Sequence, residues 1–133
     1  MSAALSTDAC RAVAEAAGRH RGLELLVLHG SRARQEAGST SDWDFGFVAR
    51  SPLEVEALIA DLVRAVGSDR MDVVDLGRAS ALLRYRAARD GSPVYERVPG
   101  AFERFWLEAV RFWCDAAPVL ERGYENVLAR LDR

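Results

Sequence analysis

The chain has 133 residues, half of them hydrophobic and 29% charged, with a formal net charge of −2. That composition gives an ordered, soluble, globular protein of one domain and excludes an intrinsically disordered chain. The charge argues against a duplex-DNA binder that relies on a basic surface, so no direct DNA binding is expected.

All 18 basic residues are arginine. Lysine chemistry is therefore excluded, and any phosphate clamp must be a guanidinium fork. Cys10 and Cys114 stand alone in helical sequence and read as small, buried or half-buried hydrophobes in a reducing compartment. No signal peptide or membrane span is visible, which makes the cytoplasm the expected location.

In chain order, Ser6 or Thr7 caps a helix over about 8–20, and Gly22 closes it. The apolar run Leu23 to His29 reads as a buried strand. Gly30-Ser31 then opens a short helix carrying Arg32, followed by a polar loop to Ser41 and a second strand from Asp42 to Val48. Ser51 and Pro52 fit the cap and first position of the next helix, whose broad apolar face includes Leu58, Leu62 and Val66.

A third strand spans Arg70 to Leu76 and carries Asp72 and Asp75. A helix over 80–89 and a short edge strand at Pro93 to Tyr95 follow. From Gly100 the chain reads as helix, with Phe102, Phe105, Trp106, Ala109, Phe112, Trp113 and Ala116 on one face, suited to core packing or a partner surface. Pro118 is expected to break or kink it. This order predicts an α/β (α+β) domain: a small mixed sheet flanked by helices, core about 8–96, with C-terminal helices over about 100–131.

Alternation places Asp42 and Asp44 on one face of their strand, with Cα atoms ~6.6 Å apart. Two such carboxylates repel by roughly 2.5 kcal/mol at an effective dielectric of ~20, so a cation between them is the natural reason to keep both. All-oxygen ligands suit Mg²⁺ or Mn²⁺, and Asp72 on a neighbouring strand is the first candidate for a third. Asp75 is the alternative, because residues three apart on a strand face opposite sides. The Gly30-Ser31 turn offers backbone N–H groups to triphosphate oxygens, with Arg32 and Arg34 on the same turn. His29 reads as a strand-end core residue, and His20 as a helix C-terminal dipole partner.

The string Gly30-Ser31-Arg32-Ala33-Arg34, then Ser41-Asp42-Trp43-Asp44-Phe45, resembles the nucleotidyltransferase superfamily that includes DNA polymerase β. More narrowly it resembles the minimal nucleotidyltransferases, the antitoxin halves of HEPN–MNT toxin–antitoxin pairs. The segments Asp72 to Leu76, Leu82 to Tyr85, Asp90-Gly91 and Val94 to Glu96 extend the likeness, so it covers roughly residues 23 to 96. The resemblance implies that Asp42, Asp44 and Asp72 are catalytic and bind metal, and that Gly30, Ser31, Arg32, Arg34 and Ser41 hold the nucleotide. It implies ATP as substrate, Mg²⁺ or Mn²⁺ as cofactor, and AMP transfer (AMPylation) to a tyrosine of a helical HEPN toxin held in a hetero-oligomer.

Where the family commonly has glycine after Ala-Arg, this chain has Gln35. That departure keeps open a catalytically degenerate antitoxin that acts by binding alone. A third reading is nucleotide transfer to a small molecule such as an aminoglycoside, but those enzymes generally carry an additional substrate domain.

Overall fold

The computed structural model describes residues 5–33 and 42–131. Among them, four strands form one mixed sheet in the order β3-β2-β1-β4. Strands β1 (Leu23–His29), β2 (Trp43–Ala49), β3 (Met71–Asp75) and β4 (Ser92–Glu96) alternate with helices α1 (Thr7–Gly18), α2 (Gly30–Ala33), α3 (Val55–Val66), α4 (Ala81–Asp90) and α5 (Ala101–Leu131). β1 pairs antiparallel with β2 and with β4, while β2 and β3 run parallel. The parallel pair is joined by α3, the crossover that parallel strands require. This is the expected mixed sheet flanked by helices, with a helical C-terminus.

Alternating side chains divide the sheet into two apolar faces. Leu26 and Leu28 of β1 and Trp43, Phe45 and Phe47 of β2 pack with Val13 and Ala17 of α1 and Leu58 and Leu62 of α3. Leu25 and Val27 face the other way, onto Ala87 and Ala88 of α4 and Ala101, Phe105 and Ala109 of α5. A register shift between Leu23 and Leu25 explains why Leu23 shares a face with Leu26, three residues on. Burial of Phe45, Leu26, Leu58 and Leu62 contributes about 1.5–3 kcal/mol each.

Local chemistry sets the helix ends. The Ser6 hydroxyl accepts from the Ala9 N–H at 3.1 Å, and the Ser80 hydroxyl accepts from the Leu83 N–H at 3.2 Å. Such caps stabilise a helix by about 1 kcal/mol.

Several boundaries differ from the sequence reading. α1 ends at Gly18, and Gly22 instead lies where a side chain would collide with the Pro52 carbonyl. α3 begins at Val55, with Glu54 as a cap that makes no side-chain bond. Ser51 and Pro52 thus precede the helix, held by that close approach to Gly22. α5 runs through Pro118. Proline withholds one N–H and crowds one turn, and it stands here at an exposed position followed by the exposed Val119 and Leu120. The buried stripe of α5 is Ala101, Phe105 and Ala109, whereas Trp106 and Phe112 are 42% and 41% exposed. Small residues win the buried positions because α5 approaches α4 closely. Cys10 and Cys114 are exposed, not buried, because each falls on the outer side of its helix.

Candidate active site

The end of β1, the turn of α2 and the start of β2 meet at one edge of the sheet. Asp44 is the cross-strand partner of His29 on its antiparallel side and of Asp72 on its parallel side. Paired residues of adjacent strands project on the same face, so His29, Asp44 and Asp72 form a row across three strands, spaced ~4.8 Å apart. The row lies on the face that α4 and α5 cover farther along, since Trp43 and Phe45 on either side of Asp44 point into the opposite core. Asp42 immediately precedes β2 and is exposed, as is Asp72; Asp44 is half-buried.

Gly30 follows His29 with φ of +72°, in the left-handed region. A Cβ at this position would stand 3.0 Å from Cγ and 3.2 Å from Cβ of Asp44, and closer still to its carboxylate oxygen. Only glycine supplies both that dihedral and that clearance. The backbone turn therefore lies directly against the Asp44 carboxylate, with Ser31 next in the chain.

Asp75 pairs with Phe47 across β2–β3, and its Oδ1 accepts from the Gly77 N–H at 2.9 Å. Its other oxygen lies 3.8 Å from the Arg78 guanidinium. It closes the turn after β3, at the far end of the strand from Asp72. Of the two candidates for third carboxylate, Asp72 is the one beside Asp44.

Arg32 packs on the tryptophan between Asp42 and Asp44. It is the one buried charged side chain among the described residues, 8% exposed, and its Cζ lies 3.9 Å from the centroid of the Trp43 ring. Trp43 belongs to the α1/α3 face, so the Arg32 guanidinium meets β2 from that side. Arginine reads as a surface residue in a sequence, and its burial became visible only once Trp43 was placed. Arg34, Gln35 and Ser41 lie outside the described residues.

The sequence reading understated two histidines. Among the described residues, His29 Nε2 is buried and has no hydrogen-bond partner. Burial holds the imidazole below its ordinary pKa, against the pull of Asp44, a hydrogen bond with the Phe45 backbone, and Asp72. His20, beyond the end of α1, places Nε2 2.7 Å from Oδ2 of Asp61 on α3. That bond, joined by one from Arg64, holds the Asp61 carboxyl below its usual range. A 41-residue separation hides such a pair from sequence periodicity.

Asp42, Asp44 and Asp72 make an all-carboxylate donor set on one side of two adjacent strands, the chemistry that suits a hard divalent cation. Among the described residues, no three acidic, imidazole or thiol side chains converge on one point as they stand. Asp42 and Asp72 are exposed and can turn toward Asp44. The donor set thus fits Mg²⁺ or Mn²⁺ better than the tetrahedral nitrogen and sulfur ligation of structural zinc.

A glycine turn packed on Asp44, with Asp72 in register beside it, is an arrangement suited to a nucleoside triphosphate and its cation. The chain belongs to the polymerase beta nucleotidyltransferase family, whose model matches residues 12–99. Within it, the chain belongs with the MntA-type minimal nucleotidyltransferases. It is 31% identical over 124 residues to the protein adenylyltransferase MntA of Aphanizomenon flos-aquae (strain 2012/KM1/D3), covering 84% of this chain and 82% of that protein.

Solved structures share the fold. A toxin–antitoxin structure with AMP-PNP superposes with a TM-score of 0.75 at 22% identity, over 90% of this chain and 98% of the other. A tri-AMPylated Shewanella oneidensis HEPN toxin in complex with an MNT antitoxin gives a TM-score of 0.60 at 24% identity, over 80% and 84%. Among the described residues, no helix is long and apolar enough to cross a membrane.

Proposed function

We propose that this chain is an antitoxin that transfers AMP from ATP to a tyrosine hydroxyl of a cognate HEPN toxin. The register pairing of Asp44 with Asp72, with the Gly30 turn against Asp44, is the observation that carries this reading. Support comes from the MntA relative, a protein adenylyltransferase, and from neighbours of the same fold that carry AMP-PNP or an AMPylated toxin. The reaction belongs in the cytoplasm, and the whole chain acts as one nucleotidyltransferase domain.

In this mechanism the Gly30-Ser31 turn presents backbone N–H groups to the β- and γ-phosphates, and Arg34 and Ser41 complete the nucleotide contacts. Asp42, Asp44 and Asp72 hold Mg²⁺ or Mn²⁺. When bound, such an ion stabilises charge on the attacking and leaving oxygens. Asp72, on the strand facing Asp44, orients the acceptor hydroxyl and takes its proton as the oxygen bonds to the α-phosphorus. The bond to the β-phosphate oxygen breaks, and pyrophosphate leaves. The Gly30 turn fixes the α-phosphorus relative to Asp44, so much of the barrier is removed by positioning.

The toxin docks on the outer face of α5, where Trp106 and Leu107 are exposed side by side, 42% and 43%. A monomer has no need of such a pair, whereas buried aromatic anchors dominate protein interfaces. That same pair favours a second reading, neutralisation by occlusion alone. Mass spectrometry of a HEPN toxin co-expressed with this chain separates the two. AMP-sized increments on a tyrosine, absent with Asp44→Asn, support transfer. An unmodified toxin that is still neutralised supports occlusion.

A further inference from the structure

We infer that the Arg32–Trp43 stack is a positioning device that ties the phosphate-binding turn to the carboxylate strand and so sets nucleotide affinity. The inference rests on the transfer reading but concerns residues other than the three carboxylates. Arg32 lies two residues after Gly30, and Trp43 separates Asp42 from Asp44. Their contact, Cζ to ring centroid at 3.9 Å, joins α2 to β2.

The energetic argument turns on burial. Arg32 is 8% and Trp43 9% exposed, so the guanidinium has left water. A guanidinium is kept out of water only where fixed surroundings hold it, and an apolar side chain fills a core position without that demand. What an apolar residue cannot supply is orientation. A planar guanidinium lying on an indole fixes the ring plane and the direction of the α2 turn together. Because side chains alternate along β2, anchoring Trp43 in the α1/α3 core turns Asp42 and Asp44 to the opposite face. The stack thereby holds Gly30 and Asp44 in the close approach that leaves no space for a Cβ.

The test uses the full chain with its toxin partner and AMP-PNP–Mg²⁺ as the binding probe. Dissociation constants come from calorimetry, and KM and kcat for AMP transfer from ATP. Trp43→Leu and Arg32→Gln are each expected to weaken AMP-PNP binding and raise KM for ATP by about tenfold, while Trp43→Phe stays within about threefold of the parent. Melting temperatures identify any variant that does not fold; Arg32→Lys then takes the place of Arg32→Gln and is expected to fall between it and the parent.

Parental affinity in folded Trp43→Leu or Arg32→Gln overturns the inference. So does a Trp43→Phe variant as impaired as Trp43→Leu, since the aromatic face would then not be the operative feature. A parent that binds AMP-PNP but transfers no AMP removes the transfer reading alone, and the binding constants still decide this one. A parent that binds no nucleotide removes both.

Discussion

Gly30 lies so close to Asp44 that any side chain at position 30 would enter the carboxylate. Two motifs that stand fourteen residues apart in the sequence thereby become one surface. The turn that meets phosphates and the acid that meets a cation share a boundary of backbone against side chain. Gly30→Ala adds left-handed strain of about 1–2 kcal/mol to that collision. The melting temperature should fall, and AMP-PNP affinity should drop at least tenfold, measured by calorimetry on the folded fraction.

The Asp44–Asp72 pair should behave as a site that holds charge at a cost to the empty fold. At ~4.8 Å and an effective dielectric of ~20, like-charge repulsion is about 3.5 kcal/mol at most, and water around Asp72 reduces it. Asp72→Asn should therefore melt at the parental temperature or above in chelator. Saturating Mn²⁺ should stabilise the parent by about 2–3 kcal/mol at a hundredfold excess over its dissociation constant, and should do much less for Asp72→Asn. Equal metal-induced shifts in both proteins would remove Asp72 from the ligand set.

Acid stability should carry the mark of Asp61. Its folded pKa lies below the ordinary carboxylate value, chiefly through the bond with His20 and then that with Arg64. The unfolded chain therefore binds this proton more readily. The contribution is fully present above the unfolded value of about 3.9 and is lost as pH falls through the folded one. Asp61→Asn should cost about 1 kcal/mol near neutral pH, and the gap to the parent should close at pH values below about 4. Urea titrations across that range measure it.

If the outer face of α5 receives the toxin, polar substitution there should spare the fold. Trp106→Ser and Leu107→Asp leave the buried Ala101, Phe105 and Ala109 untouched. Each should weaken toxin binding by about 2 kcal/mol or more, read by calorimetry, with the melting temperature of the isolated chain nearly unchanged. A full loss of stability in either variant would assign these side chains to the core.

Much of this arrangement was legible in the chain itself. The strands carrying His29, Asp44 and Asp72 announce themselves through apolar runs bounded by glycine and polar turns, and the Gly30-Ser31 turn follows directly from one of them. Local signals also narrow the cap of α1 to Ser6 or Thr7, and Ser6 fills it. What escaped depends on tertiary placement. Arg32 has the composition of a surface residue and is buried only because Trp43 lies beneath the strand. His20 meets Asp61 across α1 and α3, which no local pattern relates. The α5 periodicity correctly marked an apolar face but could not say which aromatics would find a partner inside the fold. Pro118 falls where α5 turns to solvent, with Val119 and Leu120 exposed beside it.

Transfer of label from α-labelled ATP to the co-purified toxin, with Mg²⁺, tests the central claim most directly. The account predicts a labelled toxin with the parent and at least a hundredfold less with Asp44→Asn or Asp72→Asn, both folded and both still bound to toxin. Undiminished labelling in those variants, or no labelling by the parent under any divalent cation, would contradict it.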